Sequence, residues 1–165
     1  MDQMADVVTF RSNVVRPVLQ RLALWSQIAE NLLVGTALQE SLLTYTVQQG
    51  GGPALGYFQM EPATHDDTWN NFLKYRATLA QRVRTFIYTG DPNTPVPDAK
   101  MMIDNPYYAC AMARVRYYRA PQPLPTDPND INGIANYWKT VYNTVLGAGK
   151  PEEFVAKYMK WGINS

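Results

Sequence analysis

Residues 38–64 read LQESLLTYTVQQGGGPALGYFQMEPAT, and this stretch decides the fold. It begins inside an apolar-periodic pattern that runs over residues 28–34 and leads into residues 36–47, which predicts a helix. Gly50, Gly51 and Gly52 then break any helix. Tyr57-Phe58-Gln59-Met60 is too short and too mixed to classify by period, and suits either a brief strand or an extended turn. Thr64, with Asp67 three residues on, resembles a capping box and predicts the next helix. A helix, a short irregular segment and a second helix therefore follow one another here.

Outward from this stretch the pattern stays helical. Residues 6–24 carry Val14, Val15, Val18, Leu19 and Leu22 near helical spacing, with Pro17 marking a kink or restart. Helical material is expected from Thr64 to residue 88, with a break near Tyr75, and residues 89–97 (TGDPNTPVP) form a loop. Asn105-Pro106 is an N-cap followed by proline at the first helical position, which opens a helix ending near Tyr118. Residues 120–130 hold four prolines and must be a loop. A helix over 131–146 follows, then Gly147-Ala148-Gly149. The last helix starts at Pro151, with Glu152 and Glu153 in its first turn and Lys157 and Lys160 in its last, matching the helix dipole. No repeat, low-complexity tract or long linker divides residues 1–165, so the reading is one mainly α domain.

Composition narrows the function. A hydrophobic share of 46% is a globular value, so disorder is not the default. A single domain of this length buries roughly 70% of its unfolded surface. Charged residues are only 18%, and 11 Tyr and 4 Trp fill part of the gap. Such rings build cores, and they also line carbohydrate clefts by packing on the C–H faces of sugars. The net charge of +1, with no long basic run, argues against a dedicated nucleic-acid binder. Arg82-Val83-Arg84 and Arg114-Val115-Arg116 are expected to be solvated helix faces. Cys110 has no second cysteine to pair with, so the fold does not depend on an oxidising compartment. The N-terminal residues lack the basic start and apolar core of a signal peptide, and no apolar run approaches the ~20 residues of a membrane span. A product made in the cytoplasm is expected.

Three segments carry the chemistry, in a fixed order. The first is Gln39-Glu40-Ser41. The second begins sixteen positions after Glu40 and runs from Gly56 through Gln59 to Pro62-Ala63-Thr64. The third is Val141-Tyr142-Asn143, followed by Gly147 and Gly149. Together they resemble the soluble lytic transglycosylases and their goose-type lysozyme relatives, whose pattern is E-S, then G-L-M-Q with a trailing P-A-T, then A-Y-N-A-G. The resemblance covers residues 29–154. Tyr57-Phe58 stand where that family prefers Leu-Met, Pro53 stands where a glycine often sits, Val141 and Thr144 each replace an alanine, and the later glycines are shifted.

The resemblance implies a lysozyme-like, mainly α fold, with the short β or irregular segment at 48–60 forming one wall of a cleft. It implies cleavage of the bond between N-acetylmuramic acid and N-acetylglucosamine in peptidoglycan, with Glu40 as the catalytic acid and base. Ser41, Gln59, Tyr142 and Asn143 are the expected substrate-site residues, Tyr142 by hydrogen bonding at the glutamate. The partners implied are peptidoglycan glycan strands, without nucleic acid or membrane span. Size and the missing signal look like a bacteriophage product, acting on the wall after release or from the virion beside other virion proteins.

The physical logic of Glu40 stands beside the resemblance. Glycosidic cleavage needs a proton donor at the leaving oxygen, and a carboxyl group serves only while protonated. Desolvation raises its pKa, and Leu38, Leu42, Leu43 and Tyr45, with Tyr57, Phe58 and Met60 alongside, would supply apolar walls. No second carboxylate matches the family pattern; Glu61, Asp66 and Asp67 are nearest. That suits substrate assistance, in which the N-acetyl group helps expel the leaving sugar and the sugar's primary hydroxyl closes a 1,6-anhydro ring. His65 reads as part of a helix start and Cys110 as an inert buried thiol, so no metal or cofactor is expected. A hydrolytic lysozyme, an inert structural virion protein and a Cys-His amidase are the rival readings.

Overall fold

The computed structural model describes residues 3–87 and 94–165, and it is mainly helical with almost no strand. Its central element is α3 (Gln27–Ser41). Ser26 caps it by accepting a hydrogen bond from the Ala29 N–H at 3.1 Å. Residues 28–38 are all buried, so this helix is covered on every side, as its nearly continuous apolar sequence requires. Around it pack α7 (Pro106–Arg119), α8 (Ile131–Trp138) and α9 (Pro151–Lys157). Gly35 lets α9 come close, since a Cβ there would stand 2.2 Å from the Phe154 ring.

The N-terminal stretch is α1 (Gln3–Phe10), a π-helical turn over Arg11–Val15, and α2 (Arg16–Arg21). Pro17 has no N–H to donate, and the expected kink takes the form of that π turn just before it. The turn sets Arg11 inward, only 5% exposed. Its guanidinium reaches Glu30 and Asn31 of α3, the Tyr158 hydroxyl, the Gly162 carbonyl and the Ser165 hydroxyl.

α3 ends at Ser41, so the helix expected to continue to residue 47 does not. Leu42 and Leu43 take left-handed conformations, φ 53° and 54°, that turn the chain while keeping both side chains against the core. Packing has overridden an apolar spacing that would also fit a helix. The segment that follows folds back on itself. Gly56 N–H donates to the Thr46 carbonyl, Gln48 N–H to that of Ala54, and Leu55 and Met60 exchange two backbone bonds. Two isolated bridges, Val47 to Leu55 and Leu55 to Met60, are the strand-like content here. Gly56 is required: its φ is +77°, and a Cβ would stand 2.7 Å from the Met102 carbonyl oxygen.

α4 (Pro62–Asn71) starts before the expected Thr64, with Glu61 as N-cap and Pro62 in first position. Asp67 does not cap it, and pairs instead with Arg119 at 2.7 Å. The break near Tyr75 is a 3-10 turn, Leu73–Tyr75, before α5 (Ala77–Arg84). α5 stops short of residue 88, which together with 89–93 of the expected loop lies outside the described residues; residues 94–97 are irregular. α6 (Met101–Asp104) leads into α7, where the Asn105 side chain accepts from the Tyr108 N–H at 3.0 Å. α8 is capped by Asp130 and prolonged by a π turn over Lys139–Asn143. It ends at Thr144, φ 67°, short of residue 146. After α9 comes a further π turn, Tyr158–Gly162. Among the described residues no helix is long and apolar enough to cross a membrane.

The arginines of α5 and α7 are not plain solvated faces. Arg114 is buried, its Nε bonded to the Leu24 carbonyl, and Arg84 lies over the Trp69 ring. Arg116 is half-buried and lies over the Tyr142 ring. Residues 108–115 of α7 are all buried, so just over two turns of it have no free face.

Candidate active site

The end of α3, the folded-back segment, the start of α4, the last turn of α7 and the end of α8 surround a cleft of about 670 Å³. Glu40, Gln59, Tyr142 and Asn143 all line it, although 102 positions separate the first from Tyr142 in sequence. Tyr45, Gln48, Glu61, Arg116 and Leu146 complete much of the wall.

Glu40 occupies the last turn of α3, where a side chain projects beyond the helix's covered length. Burial pushes its carboxyl up to about 7, against the opposing pull of the Trp138 indole N–H, Arg116 and Lys157. The indole nitrogen is itself buried, and no acceptor meets it in full hydrogen-bond geometry. It acts on Glu40 as an oriented dipole more than as a made bond. The expected apolar wall is built differently from the sequence reading. Phe58 and Met60 turn into the core and Tyr57 packs edge-on to Phe10, while Tyr45, Tyr142 and Trp138 surround the acid. Tyr45 fixes the end of the helix through a hydrogen bond from its hydroxyl to the Glu40 carbonyl at 2.8 Å.

Gln59 sits at φ 48°, and its side-chain amide donates to the Gly56 carbonyl at 2.9 Å. Gln59 lines the cleft, and among the described residues the carbonyl oxygen of its amide accepts no hydrogen bond. Asn143 accepts from Lys139 Nζ at 2.6 Å, and the same ammonium reaches the Gly147 carbonyl at 3.0 Å. This clamp holds the turn after α8, whose Val145 and Leu146 are almost fully exposed, Leu146 on the cleft wall.

Two expected contacts fall elsewhere. Ser41 is 1% exposed and off the cleft, its hydroxyl donating to the Ala37 carbonyl and accepting from the Leu43 N–H. A serine at the end of a helix satisfies the turn's own backbone first. Tyr142 lines the cleft with its ring, but its hydroxyl donates to the Phe58 carbonyl at 2.7 Å rather than to Glu40. Its ring stacks on Tyr117, which stacks in turn on Tyr137. Tyr142 therefore acts as a brace, tying α8 to the segment that carries Gln59.

Arg116 is the site residue that sequence reading missed. Its Nη2 donates to the Tyr142 carbonyl at 2.7 Å and its guanidinium carbon stands 4.4 Å from the Tyr142 ring centre. The i, i+4 spacing from Met112, with buried Tyr108 one turn further back, is the signal that would have turned it inward.

Of the other acids, Glu61 lines the cleft from an exposed position, whereas Asp66 pairs with His65 and Asp67 with Arg119. His65 is fully buried, with its second nitrogen 2.6 Å from the Tyr108 hydroxyl, and Cys110 is fully buried with its thiol pushed well up. Neither reaches the cleft. Among the described residues no group of three His, Cys, Asp or Glu stands together to hold a metal.

The chain matches no family model, no curated protein and no solved structure.

Proposed function

We propose that this protein is a peptidoglycan lytic transglycosylase of lysozyme-like fold, with Glu40 as its single catalytic acid and base. The observation that carries the reading is a carboxyl held near pKa 7 in an open cleft, facing the residues of two other motifs. A group with that pKa is both protonated and able to lose its proton near neutral pH, as an acid that must later act as base requires.

In the first step Glu40 gives its proton to the oxygen joining N-acetylmuramic acid to the leaving N-acetylglucosamine, and the bond to the anomeric carbon breaks. The carbonyl oxygen of the substrate's own N-acetyl group bonds that carbon as the leaving sugar departs. The Glu40 carboxylate then takes the proton of the primary hydroxyl, whose oxygen displaces the acetyl oxygen and closes the 1,6-anhydro ring. No water is consumed, and Glu40 ends protonated as it began. The open amide oxygen of Gln59 is suited to orient a sugar hydroxyl. A bacteriophage origin, with action on the wall after release or from the virion, belongs to the same proposal and rests on the reading of the sequence alone.

A hydrolytic lysozyme is the second reading, favoured by Glu61 on the cleft wall, since an inverting hydrolase places a second carboxylate ~6.5–9.5 Å from the acid to hold a water. Mass spectrometry of digested peptidoglycan separates the two. Fragments ending in 1,6-anhydro-muramic acid, one water lighter than hydrolysed ones, are the expected result. Hydrated ends would make the protein a lysozyme, and intact strands would overturn both readings.

A further inference from the structure

Arg116 forms a wall between the main cleft and a second cavity of about 380 Å³, and it shares that position with Thr64. The two hollows thus adjoin at the guanidinium. The second cavity is lined by Thr68, Thr140, Gln122 and the paired Arg119 and Asp67, whose charges offset each other, groups suited to peptide N–H and C=O partners.

The charge pattern is uneven. Arg11 and Arg16 are both committed to Glu30, and Arg119 to Asp67. Among the described residues Arg116 makes no ion pair, although its charge reaches Glu40, and only one of its five N–H groups is occupied, on the Tyr142 carbonyl. Stacking on Tyr142 fixes the guanidinium plane at the cleft wall. A planar, pre-oriented fork with free donors is the arrangement that takes a carboxylate in bidentate fashion. Sugar hydroxyls carry no charge to match it.

We propose that Arg116 receives a free carboxylate of the substrate's peptide stem, and that the second cavity houses the stem. The inference rests on the transglycosylase reading, because peptidoglycan is a neutral glycan whose stems carry carboxylates. It adds a specificity: strands with charged stems are favoured over strands whose stems are neutral. It also couples recognition to chemistry. Arg116 works against the protonated form of Glu40, and a carboxylate bound to it cancels that opposition.

The test compares strands with free stem carboxylates against the same strands amidated by carbodiimide and ammonia. Wild type should show a KM about 10-fold or more lower on the free form, the range for a hydrogen bond to a charged group. The alkaline limb of its kcat profile should also lie at higher pH on that form. In Arg116→Gln both differences should vanish whatever its absolute rate, and Arg116→Lys should keep part of the first. Equal KM values for wild type on both strands would overturn the proposal, even if the variants failed to fold. Differences that persist in Arg116→Gln would overturn it too. Failure of wild type to cleave either strand would instead sink the transglycosylase reading and this inference with it.

Discussion

Glu30 and Glu40 stand ten residues apart on one helix, yet one carboxyl is held at about 2 and the other at about 7. Burial pushes both upward. At Glu30 that push is outweighed by hydrogen bonds from Arg16, Trp25, Arg11 and Gln27, which between them reach both carboxylate oxygens. At Glu40 the three opposing groups are too weak to win. The same side chain is thus a fixed anion at the start of α3 and a titrating acid at its end, and the difference is the number of donors supplied.

Glu40→Gln should fold and lose nearly all wall-degrading activity, because an amide cannot donate the required proton. A loss of at least ~100-fold is expected, the lower end for removing a general acid. Clearing of purified peptidoglycan suspensions at the wild-type rate would remove Glu40 from the mechanism.

The same variant should be more stable than wild type in alkali. Between about pH 4.5 and 7 the folded protein keeps a Glu40 proton that the unfolded chain has lost, so stability declines as pH rises through that window. The contribution is complete below pH 4.5 and gone above 7, and its size is about 3 kcal/mol. Denaturant titrations at pH 4 and pH 8 should show the variant level with wild type at the first and ahead at the second. A constant offset at both would mean that the acid is not strained by burial.

Glu30 works in the opposite sense. Its folded pKa is depressed, so its contribution is present above about pH 4.5 and fades as pH falls toward 2. Glu30→Gln leaves Arg11 buried beside a neutral amide, and a loss of about 3–5 kcal/mol is expected from breaking such a pair. Equilibrium unfolding at neutral pH checks it, and a loss below about 1 kcal/mol would reduce the network to a surface ion pair.

Much of this architecture could be read in advance, and the exceptions share a cause. Asn105-Pro106 and Pro151 announced their helices because capping is a local signal that survives any tertiary context. The end of α3 was hidden because Leu42 and Leu43 keep apolar spacing while their backbones leave the helix. Glu40, Gln59, Tyr142 and Asn143 were legible as motifs, and the fold brings them to one cleft. What a hydroxyl does is another matter. Ser41 and Tyr142 spend theirs on the backbone, and Arg116 turns inward, for reasons of packing between residues far apart in the chain.

Tyr142→Phe should therefore act through structure before chemistry. It leaves the buried Phe58 carbonyl without its donor, a loss of about 1–3 kcal/mol. Activity should fall far less than in Glu40→Gln, through a looser Gln59. An unchanged melting temperature would show that the brace carries no load.

Cys110→Ser should keep its activity and lose stability, since a hydroxyl would enter a fully buried apolar site at about 1–3 kcal/mol. In wild type a thiol reagent should label Cys110 only as fast as the protein unfolds. A folded, inactive serine variant would bring the Cys-His amidase reading forward.

The hold of Arg11 on Tyr158, Gly162 and Ser165 spans 147 to 154 residues of chain. Synthesis runs from the N-terminus, so the residues of the π turn that presents Arg11 are made long before its last partners are. Until then its guanidinium has Glu30 and Asn31 alone, and the pocket that closes over it stays open to water. Contacts this distant in sequence are the slowest to close. The nascent protein should thus stay loosely assembled until residues 158–165 have been made, and the cleft should gain its acid only when α3, on which α9 packs, is fixed in place.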